Sequence, residues 1–325
     1  MRAVLAREFA SPERLTLEEV PPRLPGPGEV LIRVKACGIN FFDGLMVQGK
    51  YQIKPPPPFS PGAEVAGLVS AVGAGVTAPA VGARVLASIG FGGYADEVII
   101  EAARVVTLPS RMDFVTAAAF PITYATSHHA LKDRAQLKPG ETLLVLGAAG
   151  GVGLTAVELG KIMGARVIAC ASSDDKLALC RDYGADALVN YASSDLRERV
   201  RELTAGKGVD VIYDPVGGPY ADAAVRSLGY GGRYLVIGFA SGEIPRIPFN
   251  LFLLKVSALV GVFWGAFAKA HPAQNAANFA ELLGWYEQGR LRPHVSATYP
   301  LEAFREALDA VMNRRVKGKA VLVME

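Results

Sequence analysis

The sequence predicts an α/β chain in two parts, one rich in short strands and one laid out as strands and helices on a doubly wound parallel sheet. Three observations carry this reading. The chain has 325 residues, enough for about two domains of common size. Roughly its first hundred residues alternate β-rich runs with turn residues and leave no room for long helices. After Pro121 the runs are separated by helical patterns, which is the layout of βαβ units.

The elements follow in order. Strands are predicted over residues 2–6, 15–20 and 29–36, the last after the turn Pro25-Gly26-Pro27-Gly28, and then over 64–72, 83–89 and 95–100. Lys54 and the four prolines after it read as a stiff loop rather than a recognition ligand. Beyond Pro121, residues 142–147 form an apolar strand and 153–163 a helix. A strand over 166–171 and a helix over 176–183, stopped by Gly184, come next. Strands over 187–190 and 209–214 precede a small-residue helix over 221–228. A glycine turn at 229–232 leads to strands over 233–237 and 256–263. The pattern ends in helices over 276–288 and 301–312 and a strand over 320–324, with no internal repeat.

Composition excludes several function classes. Hydrophobic residues make up 51% of the chain and charged ones 20%, so a large core forms and pervasive disorder is excluded. The net charge of +3 is interspersed, leaving no basic stripe for nucleic acid. Cys37, Cys170 and Cys180 are too few and too scattered for a disulfide framework, which favours a reducing, cytoplasmic setting. The amino terminus meets Glu8 before any apolar run of signal-peptide length. The most apolar stretch, residues 251–267, is broken by Lys255 and reads as buried strand and interface rather than a membrane span.

The strongest motif is the run Ala148-Ala149-Gly150-Gly151-Val152-Gly153, between the strand over 142–147 and a helix whose Val152, Ala156, Leu159 and Met163 share one face. Small residues there let the backbone approach a pyrophosphate, whose charge the helix N-terminus offsets. A plain tight turn has the same composition, but the strand before, the helix after and a second strand about 20 residues on favour a dinucleotide. No lysine-serine ending marks a P-loop. After the second strand, where an acid commonly holds a ribose 2′-hydroxyl, stand Ala171, Ser172 and Ser173. The small hydroxyls leave room for a 2′-phosphate and Lys176 is placed to neutralise it, so NADPH is favoured. Asp174 and Asp175 turned inward would favour NADH instead.

Four segments in this order resemble the quinone oxidoreductase branch of the medium-chain dehydrogenase/reductase superfamily, the group that includes ζ-crystallin. They are residues 34–43 (Val-Lys-Ala-Cys-Gly-Ile-Asn-Phe-Phe-Asp), 61–67 (Pro-Gly-Ala-Glu-Val-Ala-Gly), the glycine-rich run, and 213–218 (Tyr-Asp-Pro-Val-Gly-Gly). The likeness spans essentially the whole chain. It implies a discontinuous GroES-like catalytic domain, residues 1–123 and 264–325, around a Rossmann dinucleotide-binding domain over 124–263. It also implies an active cleft between them, at the carboxyl ends of the parallel strands.

Zinc-dependent relatives carry a cysteine shortly after the Cys-Gly pair and a Gly-His-Glu. Here stand Asn40 and Gly62-Ala63-Glu64, and His128, His129, His271 and His294 make no ligand set, so no metal is expected. Without a metal to polarise a carbonyl, the chemistry shifts to reducing electron-poor acceptors, quinones or activated alkenes.

Position by position, the resemblance places Asn40, Tyr51 and Asp43 at the nicotinamide and substrate. Asn40 would position cofactor or substrate, and Tyr51 would hydrogen-bond the acceptor oxygen or supply a proton. The alternatives are a turn-capping Asn40 and a packed loop aromatic at Tyr51. Thr123 and residues 149–153 (Ala149, Gly150, Gly151, Val152, Gly153) fall along the NADPH, with Ser172, Lys176 and Tyr191 near its 2′-phosphate. Gly238, Phe239, Phe263 and Trp264 fall near the nicotinamide, and Lys319 near the cofactor. The expected activity is NADPH-dependent quinone reduction. Competing readings are an enone or enoyl-thioester reductase and a cofactor-binding structural protein with little turnover. A homodimer is expected, with the run over 256–263 as an otherwise exposed edge strand.

Overall fold

The computed structural model describes residues 1–325. They form two compact units, Met1–Ile122 with Pro293–Glu325, and Thr123–Arg292.

The first unit opens with β1 (Arg2–Leu5) and β2 (Thr16–Glu19), paired antiparallel. β3 (Glu29–Gly38), α1 (Phe41–Val47), β4 (Glu64–Val72), β5 (Arg84–Ser88), β6 (Glu97–Glu101), β7 (Val105–Thr107) and α2 (Phe114–Ala118) follow. β3 buries the face that carries Val30, Ile32, Val34 and Ala36, and it is central, meeting β4 on one side and both β6 and the last strand of the chain on the other. β3 and β4 shift register twice, and Gly67 permits the close approach. A Cβ there would lie 2.0 Å from the Arg33 carbonyl oxygen. α1 starts where extended Asn40 donates its backbone N–H to the Asp43 carboxylate at 2.8 Å, one half of a capping box.

The second unit begins at Thr123, inside α3 (Pro121–His128), which continues as a π-helical turn over His129–Arg134. Then come β8 (Thr142–Val145), α4 (Gly151–Ile162), β9 (Arg166–Ala171), α5 (Asp174–Asp182), β10 (Ala187–Asn190), α6 (Leu196–Leu203), β11 (Val209–Asp214) and α7 (Tyr220–Arg226). β12 (Leu228–Val236), α8 (Asn250–Leu254), β13 (Ala258–Gly261), α9 (Trp264–Ala270) and α10 (Pro272–Glu287) complete it. Its six strands are all parallel in the order β10-β9-β8-β11-β12-β13, a Rossmann sheet whose direction of winding reverses between β8 and β11. No helix is long and apolar enough to cross a membrane, and residues 251–267 are divided among α8, β13 and α9.

The chain then returns to the first unit with β14 (Val295–Pro300), α11 (Phe304–Met312) and β15 (Lys319–Val323). β15 lies antiparallel to β3 and extends the GroES-like sheet to seven strands. β14 has no counterpart in the sequence reading, because its residues alternate between exposed and half-buried and follow an Arg- and Pro-rich segment.

The second boundary, placed by the sequence at 263/264, falls at 292/293 in the structure. α9 and α10 pack on the second unit. Trp264 is buried against Phe279 at 6.2 Å, and Glu281 reaches His128 Nε2 at 2.9 Å. Asn278 donates to Asp133 at 2.9 Å.

Two glycines separate necessary from incidental small residues. A Cβ at Gly153 would lie 2.2 Å from Gly147 O, whereas one at Gly284 inside α10 meets nothing within 4 Å. Gly153→Ala is therefore expected to lower stability by about 1–3 kcal/mol. Gly284→Ala should leave it unchanged or raise it by up to about 1 kcal/mol, read as opposite displacements of the urea midpoint.

Candidate active site

Parallel pairing puts every carboxyl end of the second unit's sheet on one edge, and the segments bearing residues 149–153, Ser172, Tyr191, Gly238 and Phe263 leave from it. The glycine-rich turn follows β8, beside the point where winding reverses. Gly147 has φ +56°, and the turn folds back so closely that a Cβ at Gly153 would clash with the Gly147 carbonyl. Ala149 and Gly153 are buried. Gly151 and Val152 form the first turn of α4 behind an extended Gly150 that supplies no side-chain cap. The turn's backbone and the uncapped N–H groups of a 12-residue helix fit a pyrophosphate.

Hydroxyls hold this turn from behind. Thr155 Oγ1 lies 3.1 Å from the Thr123 carbonyl oxygen, and Ser127 Oγ donates to Val152 O at 2.9 Å. Ser127 Oγ also meets the Tyr213 hydroxyl at 2.8 Å. The sequence reading named Thr123 but neither Ser127 nor Thr155, whose only signal is a hydroxyl on an otherwise apolar helix face.

After β9, Ser172 is exposed and Lys176 half-buried on the first turn of α5. Asp174 accepts the Asn190 amide at 2.8 Å, and Asp175 accepts the Ser173 hydroxyl. Both acids are thus engaged by neighbours on the protein. Tyr191, just past β10, packs on Tyr220 with the rings tilted by 38° and their centres 4.1 Å apart. After β11, Asp214 builds the next turn, accepting Val216 N at 2.7 Å, Gly217 N at 2.9 Å and the Tyr234 hydroxyl. Burial holds the Asp214 carboxyl above its usual range. Gly238 and Phe239 are half-buried past β12, and Phe263 is exposed past β13. Trp264, expected at the cofactor, packs in the interior with its indole N–H on Asn275 Oδ1 at 2.9 Å. It is a packing residue, as an aromatic at the start of a buried helix commonly is.

The first unit holds a buried polar cluster. Glu64, the first residue of β4, is fully buried. Its Oε1 accepts from Lys319 Nζ at 2.7 Å and Asn40 Nδ2 at 2.9 Å, and its Oε2 from Ile122 N at 2.8 Å. Lys319 Nζ also donates to Ile39 O at 2.7 Å and Asn40 Oδ1 at 2.8 Å. An ammonium has three protons, so Lys319 is saturated. The Asn40 amide is engaged at both ends, its second N–H 3.4 Å from Gly38 O. The sequence reading put Lys319 near the cofactor and Asn40 at cofactor or substrate; the structure turns the Lys319 ammonium and the Asn40 amide into the protein. The reason is Glu64, a buried carboxylate that must be paired and hydrogen-bonded.

Asp43 is equally buried. Its Oδ2 accepts Asn40 N at 2.8 Å and the Tyr94 hydroxyl at 3.2 Å, while Oδ1 has no partner. Burial is the main cause that pushes the carboxyl up to about 7, with Lys319 pulling down and Glu64 pushing up. Tyr51 is half-buried, its ring stacked on Phe42 at 5.0 Å and 16°. Burial first, and then the Asp43 charge, raise its phenol above the ordinary value. Glu64 and Tyr94 were absent from the sequence candidates. Glu64 had a signal, an acid leading a buried apolar strand, but Tyr94 had none.

The raised Asp43 sets a pH dependence. Its carboxyl titrates at about 7 when folded against 3.8 ordinarily. Between those values the native state binds more protons, so this contribution to stability falls as pH rises from about 4 to about 7. Asp43→Asn should remove a slope on the order of 4 kcal/mol across that window, measured by urea unfolding at a series of pH values.

Residues 26–110 match the alcohol dehydrogenase GroES-like domain, and residues 151–282 the zinc-binding dehydrogenase domain. Quinone oxidoreductase-like protein 2 of Bos taurus is 39% identical over 325 residues, covering 100% of this chain and 93% of the relative. The structure of Escherichia coli quinone oxidoreductase complexed with NADPH superimposes with a TM-score of 0.93 at 29% identity, covering 100% of both chains. That of CurK enoyl reductase superimposes with a TM-score of 0.91 at 26% identity, covering 100% of this chain and 99% of the other.

Proposed function

Because this chain belongs to the quinone oxidoreductase family of the medium-chain dehydrogenase/reductases and is an oxidoreductase of that family, we propose that it reduces quinones with NADPH and without a metal ion. The observation that carries the reading is the pairing of Glu64 with Lys319 at 2.7 Å. The one acid of the Gly62-Ala63-Glu64 segment is already neutralised by an internal cation, and neither Asn40 nor Ala63 has a thiolate or imidazole to offer a metal. Reduction then falls to acceptors that are electron-poor without Lewis-acid help.

The dinucleotide would supply the hydride. The glycine turn and the first turn of α4 would hold its pyrophosphate, with Thr123 alongside. Ser172, Lys176 and Tyr191 would meet the ribose phosphate. That Asp174 and Asp175 already accept from Asn190 and Ser173 supports NADPH over NADH. Gly238, Phe239 and Phe263 would line the nicotinamide. Tyr51 is the group proposed to donate to the acceptor oxygen as it becomes negative, in surroundings where such a bond is stronger than in water.

The likeness to an enoyl reductase favours alkene reduction as a second reading. NADPH oxidation by metal-chelated protein against benzoquinone, phenanthrenequinone, an enone and crotonyl-CoA separates the two. Preference for the quinones is expected, and preference for the enone or thioester would move the assignment. In the same assay Lys176→Ala should raise the KM for NADPH by about tenfold or more, one charged contact, and leave that for NADH nearly unchanged.

The open edge of β13 is proposed to pair with a second copy. It is a terminal strand of the sheet, and Leu253, Leu254, Val256 and Leu259 around it are exposed. Sedimentation should give a dimer that Leu259→Lys weakens; a monomeric native chain would overturn this.

A further inference from the structure

We propose that Asp214 is a positioning residue for the dinucleotide: held by Tyr234, it fixes residues 215–218 as a bridge that sets the nicotinamide wall at Gly238 and Phe239 at one spacing from the glycine turn. The proposal rests on the placing of the dinucleotide proposed above and deepens it.

β11 lies between β8 and β12 in the sheet, so the loop leaving its carboxyl end is flanked by the glycine turn on one side and by the segment after β12 on the other. Asp214 is the last residue of β11 and is buried. Its Oδ1 accepts the N–H groups of Val216 and Gly217 at 2.7 and 2.9 Å, which curls the chain tightly after the strand. Its Oδ2 accepts the hydroxyl of Tyr234 on β12. Three donors thus converge on the two oxygens of one carboxylate, and an amide in its place would have a single oxygen to offer them.

The loop so held touches both neighbours. Toward β8, Val216 covers Gly147 so closely that a Cβ there would lie 2.7 Å from Val216 Cγ2, and Leu146 N donates to Tyr213 O at 3.0 Å. Toward β12 runs a ladder of backbone bonds. Ile237 N donates to Asp214 O at 2.9 Å, Ala240 N to Pro215 O at 3.0 Å and Ser241 N to Val216 O at 2.9 Å. Gly218 N donates to Glu243 O at 3.1 Å. The Phe239 ring lies over Gly217, its Cδ1 2.9 Å from where a Cβ would stand.

The residue that covers the glycine turn and the residue that seats Phe239 are therefore consecutive, Val216 and Gly217. They are the two whose N–H groups Asp214 holds. A shift of this corner moves one wall of the proposed dinucleotide site relative to the other, and misplacement by about 1 Å is enough to slow a transfer step on the order of a hundredfold.

Binding separates this role from support of the sheet alone. NADPH reaches both walls, whereas 2′-phospho-ADP-ribose lacks the nicotinamide and leaves the wall at Phe239 empty. Asp214→Asn should weaken NADPH by about tenfold and 2′-phospho-ADP-ribose by less than about twofold. It should also move the fluorescence of bound NADPH toward that of NADPH in water. Tyr234→Phe should act in the same direction, and the double variant should lose no more than Asp214→Asn alone, because the two side chains act as one unit. Where Asp214→Asn does not fold, Tyr234→Phe, which leaves the acceptor of both N–H groups in place, reads the same difference between the ligands. Equal loss of both ligands would make Asp214 a support of the fold only and overturn the proposal. Native affinity and fluorescence in folded Asp214→Asn, or losses that add in the double variant, would overturn it too. None of these measurements needs an acceptor. A native chain that binds NADPH yet reduces no acceptor would count against the functional reading alone, and one that binds neither ligand would overturn both.

Discussion

A buried carboxylate in need of a cation organises the first unit. Glu64 stands at the start of β4 with no solvent around it, and the interior tolerates its charge only because Lys319 Nζ lies 2.7 Å away. The pairing draws in the Asn40 amide and the Ile122 N–H, so one ion pair joins β15, β4, the start of α1 and the last residue of the unit's first segment. Removing either partner alone would strand the other, at a cost of about 3–5 kcal/mol by comparison with other buried pairs. The direction of the Asn40 side chain, and through the Asn40 backbone the placing of Asp43, follow from this demand.

The second unit is governed by strand direction. Six parallel strands bring every candidate loop to one edge, and the reversal of winding between β8 and β11 opens a place there beside the glycine turn. Two kinds of support then differ in character. The glycine turn depends on the absence of side chains, and the turn after β11 on a buried side chain, Asp214, that gathers two backbone N–H groups and a tyrosine hydroxyl. Substitutions should therefore destabilise the two places by different routes, by adding atoms at Gly153 and by removing a hydrogen-bond acceptor at Asp214.

Much of this was legible in advance where the physics is local. The strand–glycine–helix run after β8 was readable because turn sterics and helix periodicity act over a few residues, and the sheet because alternating strands and helices leave few topologies. The second boundary was not. Residues 264–292 have a helical pattern that fits either unit, and only the contacts of Glu281 with His128 and of Asn278 with Asp133 assign them. Trp264 was likewise ambiguous, since a large aromatic after a strand suits a cofactor wall and a core equally until Asn275 is seen to take its N–H.

By itself the sequence determined the fold class and the glycine turn between β8 and α4, because each depends on neighbours along the chain. The tertiary structure decided what the side chains of Asn40, Asp43 and Lys319 touch. Glu64 and Lys319 are 255 residues apart and meet only through the antiparallel register of β15 on β3. Tyr94 reaches Asp43 across 51 residues. The charge state of a buried group is set by such distant neighbours and by the loss of water around it, and neither is written in the residues on either side of it.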